Sequence, residues 1–357
     1  MEVLVDACSA PALPVACVDG VGGLLGRSLY IGLGSAGASW YALDLDAMDA
    51  GWQRRADLPA PPPSCAAAAT VGGKLYVFGG FGRSSATATT AQFDTAYCYD
   101  PLLDRWDQLP SRLPVGLTGA AAIQAGPKHL IFLGGYNRRQ FDEFHRELER
   151  STPAEAEWLN RVYMNRAVDR YEWNADLWCY DISEDGWTRL GSVPHWPNCK
   201  SAVVLRGQDL HLFGGEVKPG LRAMTAKHGL VHDGGIDWCA EQAMPCGDGL
   251  AGSFAGALDS AVIAAGGTNF PGSWARYRQG SHFAHQGLGK TWHDGVYMLD
   301  IDVWRAVGQL PHPRANGLGV VVGEQLFIVG GDTQDGRPCL ETWRLTLSGM
   351  SPSGHQS

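Results

Sequence analysis

Short apolar runs that end in a pair of glycines punctuate this chain. They read Leu75-Tyr76-Val77-Phe78-Gly79-Gly80, Leu130-Ile131-Phe132-Leu133-Gly134-Gly135, Leu210-His211-Leu212-Phe213-Gly214-Gly215, Val262-Ile263-Ala264-Ala265-Gly266-Gly267 and Leu326-Phe327-Ile328-Val329-Gly330-Gly331. A degenerate copy, Leu29-Tyr30-Ile31-Gly32-Leu33-Gly34, opens the series. Each run has the length and composition of a buried strand. Downstream of most runs comes an aromatic-Asp or Leu-Asp pair (Leu43-Asp44, Tyr99-Asp100, Tyr180-Asp181, Leu299-Asp300) and then a tryptophan (Trp52, Trp106, Trp187, Trp238, Trp304). A Leu-Pro or similar turn closes the unit, as in Leu58-Pro59, Leu109-Pro110 and Leu310-Pro311.

A repeat of this period and content is the kelch unit, one four-stranded blade of a propeller. Five glycine pairs and the degenerate copy predict an all-β, six-bladed kelch β-propeller over residues 1–347, followed by a polar tail over 348–357. The inner strands should be small and apolar, as Cys65-Ala66-Ala67-Ala68-Ala69 is, because blades crowd at the axis. The tryptophans are expected to pack blade against blade. The last unit lacks an outer strand, and the segment Val3 to Leu13 is the candidate to supply it and so cover the open edge.

The glycine pairs are 46, 55, 80, 52 and 64 residues apart, so surplus chain follows Gly135 and Gly267. Both insertions then leave second strands toward third strands, at the same end of the propeller as the loops that leave fourth strands. The first, 136–170, contains Thr152-Pro153-Ala154-Glu155, the start of a capped helix, and predicts a helical lid inserted in the third blade. The second, 268–292, is rich in glycine, histidine and aromatics. Between them lies Gly215-Glu216-Val217-Lys218-Pro219-Gly220-Leu221-Arg222, a dense set of charges in a chain that is only 18% charged. Two long loops flanking a charged one predict a roofed pocket for a small molecule. Asn137 and Asp332, and from the fourth-to-first loops Asn198, Asp248 and Arg314, fall at the same end.

Composition narrows the partners. The formal net charge of −9 argues against a nucleic-acid or anionic-membrane surface, so any anionic ligand needs a local basic cluster. Nine cysteines without a C-x-x-C pair predict free thiols. No apolar stretch is long enough to span a bilayer, and the N-terminus lacks the basic and apolar regions of a secretory signal. A cytoplasmic location is expected as the sequence stands, and a periplasmic one if the start is processed or misassigned. Oligomeric state stays open, a homodimer included.

For Glu216 two readings compete: a solvated turn residue, or a carboxylate placed to exchange protons. Arg222 is either a surface cation or a fork for a substrate carboxylate. His282-x-x-His285, with His293 nearby, has loose spacing and no cysteine or carboxylate to complete a ligand set, so no metal is expected and His285 reads better as a hydrogen-bonding loop residue. No phosphate-binding or dinucleotide fingerprint is present, and no cofactor is expected.

Four segments carry a more specific likeness: Tyr30-Ile31-Gly32-Leu33-Gly34-Ser35-Ala36-Gly37-Ala38-Ser39-Trp40-Tyr41, Gly215 to Arg222, Gly249-Leu250-Ala251-Gly252-Ser253-Phe254-Ala255-Gly256 and Ala284-His285-Gln286-Gly287-Leu288. In order and with both insertions, from about Tyr30 to Gly331, the chain resembles the N-acetylneuraminate epimerases, the bacterial sialic acid mutarotases. The resemblance implies an enzyme that interconverts the α and β anomers of free N-acetylneuraminate, with Glu216 as proton acceptor and Arg222 in the same pocket as carboxylate anchor. Asn137, Tyr277, His285 and Arg314 are the further contacts expected for the substrate's other groups. Two departures bear on substrate identity: Pro63-Ser64-Cys65 stands where the family has Pro-Arg-Asp, and Trp274 where an arginine is expected, with Arg276 or Arg278 as replacements. Members of the family are commonly exported to the periplasm. The reading from another class is a non-catalytic kelch propeller that binds a protein or glycan, which an open pocket and a solvent-facing Glu216 would favour.

Overall fold

The computed structural model describes residues 4–348, apart from 233, 259, 260 and 301. Six antiparallel sheets succeed one another along the chain, and their innermost strands are Val21–Leu25, Ala67–Val71, Ala121–Gln124, Ala202–Arg206, Phe254–Leu258 and Leu318–Val322. Five sheets are built in simple chain order. The sixth is closed by both ends of the chain: Leu4–Ala10 runs antiparallel to Thr342–Ser348 from Leu4 opposite Ser348 to Ala10 opposite Thr342. The expected outer strand is therefore there, and it covers the edge that blade 6 would otherwise expose. Beyond Ser348 the expected polar tail lies outside the described residues.

Small residues line the axis because nothing larger fits. A Cβ on Gly23 would come within 2.6 Å of Thr70 in the next blade, and one on Gly256 within 2.3 Å of Val321. Three blades are also tied to their predecessors by the indole of a tryptophan. The indole of Trp106 donates to the Ala56 carbonyl at 2.9 Å, Trp52 to Pro11 at 2.9 Å and Trp304 to the Gln242 side chain at 3.1 Å. These rings are blade-to-blade packing, as the sequence pattern suggested.

In blades 4, 5 and 6 the glycine pair ties the blade to its successor. Gly214 turns at φ 61°, and a Cβ there would lie 2.2 Å from the Leu250 carbonyl oxygen. Its neighbour Gly215 donates its N–H to that same oxygen at 2.7 Å. Gly267 with Arg314 (2.8 Å) and Gly331 with Cys17 (2.8 Å) repeat the contact. Only glycine allows both the positive φ and the approach.

At the hub the six entry loops close a ring. Cys65 donates to Asp19, Gly119 to Cys65, Lys200 to Gly119, Gly252 to Lys200, Asn316 to Gly252 and Asp19 back to Asn316, all backbone N–H to carbonyl bonds of 2.7–3.0 Å. All six residues are left-handed, with φ between 53 and 71°. Four of them are not glycine, and each such turn costs about 1–2 kcal/mol, which the closed ring of bonds offsets. The ring surrounds a cavity of 160 Å³. Lys200 reaches over it to Asp19 at 2.8 Å, joining blades 4 and 1.

Both insertions lie at this end of the propeller. In blades 2, 4, 5 and 6 the residue after the glycine pair bridges the chain entering its own blade, as Glu216 does with Cys199 and Thr268 with Ala251. The first insertion holds two helices: α1, Arg138–Arg150, and the expected α2, Pro153–Met164, with its full capping box of Thr152 and Glu155. A short helix α3, Ser273–Arg278, stands in the second insertion. Among the described residues no helix is long and apolar enough to cross a membrane.

Candidate active site

The site starts from a two-stranded ribbon. Glu216–Lys218 pairs with Leu221–Arg222 through the turn Lys218-Pro219-Gly220-Leu221. Proline second and glycine third, with Gly220 at φ 78°, is the type II arrangement. The ribbon sets Glu216 directly opposite Arg222, so two residues six apart in sequence share one face.

The charged ends meet. Arg222 Nη1 donates to Glu216 Oε1 in a close buried ion pair, and Arg222 Nε donates to the Thr268 carbonyl at 3.3 Å. Glu216 Oε2 accepts from the Tyr136 hydroxyl at 2.7 Å. Glu216 is only 8% exposed, so it is not the solvated turn residue that its position also allowed. The Tyr136 hydroxyl has its pKa pushed well above 10, first by burial and then by the Glu216 charge, and so stays a proton-bearing donor.

Tyr136 was not among the expected site residues, yet the repeat holds the signal for it. It follows Gly134-Gly135 as Glu216 follows Gly214-Gly215 and Thr268 follows Gly266-Gly267. Positions equivalent in the repeat converge at the hub.

His285 joins the cluster. Its ring occupies the space over Gly220, where a Cβ would lie 1.8 Å from Nδ1. Burial lowers its pKa to about 4, with the Arg222 charge the next cause, and Nδ1 is buried without a partner. Its position is inside the site, although the hydrogen bond expected of it is not made by that nitrogen.

Lys218 closes the roof. It is fully buried, and its ammonium donates to the carbonyls of Met164 (2.9 Å), Arg166 (2.6 Å) and His282 (2.5 Å). One side chain on the ribbon thereby holds the end of α2 and the second insertion together. Burial brings its pKa down to about 8. The three carbonyls and the rings of Tyr171 and Tyr277, 5.3 and 5.8 Å away, favour the charged form. The two insertions also bond one another, Phe283 N–H to the Asn165 side chain at 3.1 Å and Val168 N–H to the Tyr277 hydroxyl at 3.2 Å.

The remaining expected contacts are placed elsewhere. Asn137 is the N-cap of α1: its oxygen accepts from Gln140 N–H at 3.0 Å and its amide donates to the Glu172 carbonyl at 3.0 Å. The Tyr277 hydroxyl accepts from Val168 N–H in the lid. Arg314 is 1% exposed and paired with Glu341, a bond within the wall of blades 5 and 6. Arg276 bonds the Gln286 carbonyl, and Arg278 stacks on Trp274 at 5.6 Å, so neither turns to Glu216. Trp274 itself donates to the Arg222 carbonyl at 2.7 Å. His282, His285 and His293 do not converge, His293 bonding Asn269 at 2.8 Å, and no three potential metal ligands gather among the described residues. A cavity of 590 Å³ opens between α1 and α2 and includes none of Glu216, Arg222 and Tyr136. Chemistry, not volume, picks out the hub.

Fold and site together define a kelch propeller with a buried carboxylate, guanidinium and phenol roofed by two insertions. Comparison with known proteins makes this specific. The family model for N-acetylneuraminate epimerase matches residues 10–351. An N-acetylneuraminate epimerase of Yersinia pestis (strain Pestoides F) is 36% identical over 348 residues, covering 95% of this chain and 89% of the relative. One of Brucella melitensis biotype 1 is 37% identical over 355 residues, covering 96% and 92%. The solved structure of YjhT superposes with a TM-score of 0.89 at 31% identity, over 93% of this chain and 95% of that one. The chain belongs to the N-acetylneuraminate epimerase family, isomerases that act on a carbohydrate.

Proposed function

We propose that this chain interconverts the α and β anomers of free N-acetylneuraminate with Glu216 as the general base. The observation that carries the reading is the buried carboxylate of Glu216, held at one oxygen by Arg222 and at the other by Tyr136. Anomerisation moves one proton off and one on. Glu216 takes the proton of the anomeric hydroxyl, the carbonyl forms at that carbon, and the electron pair of the ring C–O bond passes to the ring oxygen, which takes a proton. Rotation in the open keto form and reclosure on the other face reverse the steps. Nothing in this sequence calls for a redox partner or an activated phosphate.

The substrate carboxylate is attached to the anomeric carbon, so whatever holds it also places the reacting centre. Arg222 lies beside the base, and its Nη2 has no bond to a protein group among the described residues. We assign that edge to the carboxylate. Tyr136 fixes the rotamer of Glu216, and His285 borders the same space as a neutral ring. A binding module without catalysis fits less well, because a carboxylate buried between two donors is not a solvent-facing contact.

The test is exchange spectroscopy at equilibrium. Wild-type protein should raise the magnetisation exchange between α and β proton signals, and Glu216→Gln should reduce it by about 100-fold or more toward background, as loss of a general base does. A Glu216→Gln protein as active as wild type would remove the assignment.

A further inference from the structure

The cations around Glu216 are not equivalent. Arg222 is in contact with Glu216, and Lys200 is bonded to Asp19 at 2.8 Å. Lys218 is enclosed by three carbonyls. Lys290 differs from all of these. Among the described residues no hydrogen bond or ion pair engages it, and its ammonium rests 4.4 Å from the centroid of the Trp292 ring, in an environment neither buried nor open.

Its placement is that of the site. Thr268–Asn269 pairs with Thr291–Trp292, and Lys290 is the next residue along this ribbon, toward Phe270. Thr268 supplies the carbonyl that holds Arg222, and Phe270 lies under the Arg222 guanidinium at 5.5 Å. Burial pulls the pKa of Lys290 down, the Asp332 charge opposes this, and Arg222, Lys200 and Asp19 are also within electrostatic reach. Asp332 is buried, and its carboxylate accepts from the Asn316 amide at 2.9 Å. It helps keep Lys290 charged without bonding it.

We propose that the Lys290 ammonium, seated on the Trp292 ring, is the group that selects an anionic sugar by binding the substrate carboxylate together with the free edge of Arg222. The inference rests on the reading of the site given above. It follows from the pairing of charge: a monoanion that enters between Arg222–Glu216 and Lys200–Asp19 meets two pairs already neutralised. Lys218 is spent on three carbonyls, and of the four cations named here Lys290 is the one with neither a hydrogen bond nor an ion pair to the described residues. An ammonium on an aromatic face keeps its remaining donors directed outward.

The test uses N-acetylneuraminate and its methyl ester, which has the same anomeric hydroxyl but no carboxylate charge. Lys290→Met should raise KM for the acid by about tenfold or more, the size of one charge-assisted hydrogen bond, with kcat little changed. KM for the ester should not move, and Lys290→Arg should recover most of the loss. Equal losses for acid and ester, or an unchanged KM for the acid, would overturn the proposal. Titration calorimetry with both ligands separates it from the reaction itself. Binding that depends on Lys290 and on the free carboxylate in a protein that fails to speed anomerisation would refute the reaction and support the recognition. Binding indifferent to both changes, or absent from the wild-type protein, would refute the recognition.

Discussion

At the scale of single residues, the Glu216 carboxylate is defined by its two donors. Replacing Tyr136 with phenylalanine removes the 2.7 Å bond to Oε2 while leaving the ring packed against Trp173, 4.7 Å away, and against Phe141. The expected result is a fall in kcat of about tenfold, from loss of one hydrogen bond to a charged group, with a modestly lower thermal midpoint because the buried Oε2 loses its donor. Initial rates and a melting curve on the same preparation check both halves. Glu216 and Arg222 were legible in the sequence because charge is rare in this chain and their spacing fits a ribbon. Tyr136 was not, because a tyrosine after a glycine pair looks like one more core aromatic. Asn137 illustrates the converse. An asparagine at the mouth of an insertion was read as a ligand contact, and it is a helix cap, the commoner use of that residue just before a helical stretch.

At the scale of elements, the roof depends on Lys218. Lys218→Met leaves three buried carbonyls without their donor and should destabilise the protein on the order of 3 kcal/mol, with the loss concentrated where α2 and the second insertion meet. Limited trypsin digestion should then cut at Arg150 or Arg161 earlier than in the wild-type protein, and kcat/KM should fall as the roof loosens. Unchanged digestion would show that the lid is held by other contacts. The second helix of the lid was readable from its capping box. The first was not: in α1 only Phe141 is buried, so its apolar stripe is thin among many charges. The face of α2 that carries Trp158 and Val162, 62% and 43% exposed, is not the one that packs it against the molecule.

At the scale of the whole molecule, the repeat made the fold legible: glycine pairs, tryptophans and the missing outer strand each stand for a contact between blades. The hub ring was hidden, since Cys65 and Lys200 give no hint in sequence of a left-handed backbone and Asp19-Gly20 and Asn316-Gly317 read only as ordinary turns. The acid side of stability follows from buried histidines. His211 is 3% exposed and stacks in parallel on His228 at 4.6 Å, and burial, then the His228 charge, lowers its pKa from 6.5 to about 4. Between pH 6.5 and 4 the unfolded chain binds a proton that folded His211 refuses, so its contribution is complete above pH 6.5 and is lost as the pH falls toward 4. That contribution is up to about 3 kcal/mol. His285 shifts in the same direction. The thermal midpoint should therefore drop between pH 7 and pH 4.5, and less so in His211→Leu. An equal drop in that variant would assign the acid sensitivity to other groups.

The central claim is that this propeller speeds the exchange of sialic acid anomers at the Glu216 site. The most direct measurement follows one-dimensional proton spectra of the α anomer freshly released by a sialidase. With wild-type protein, the approach to the α/β equilibrium should quicken in proportion to enzyme concentration, and with Glu216→Gln it should match the spontaneous rate. Equilibration no faster with the wild-type protein than without it would contradict the account.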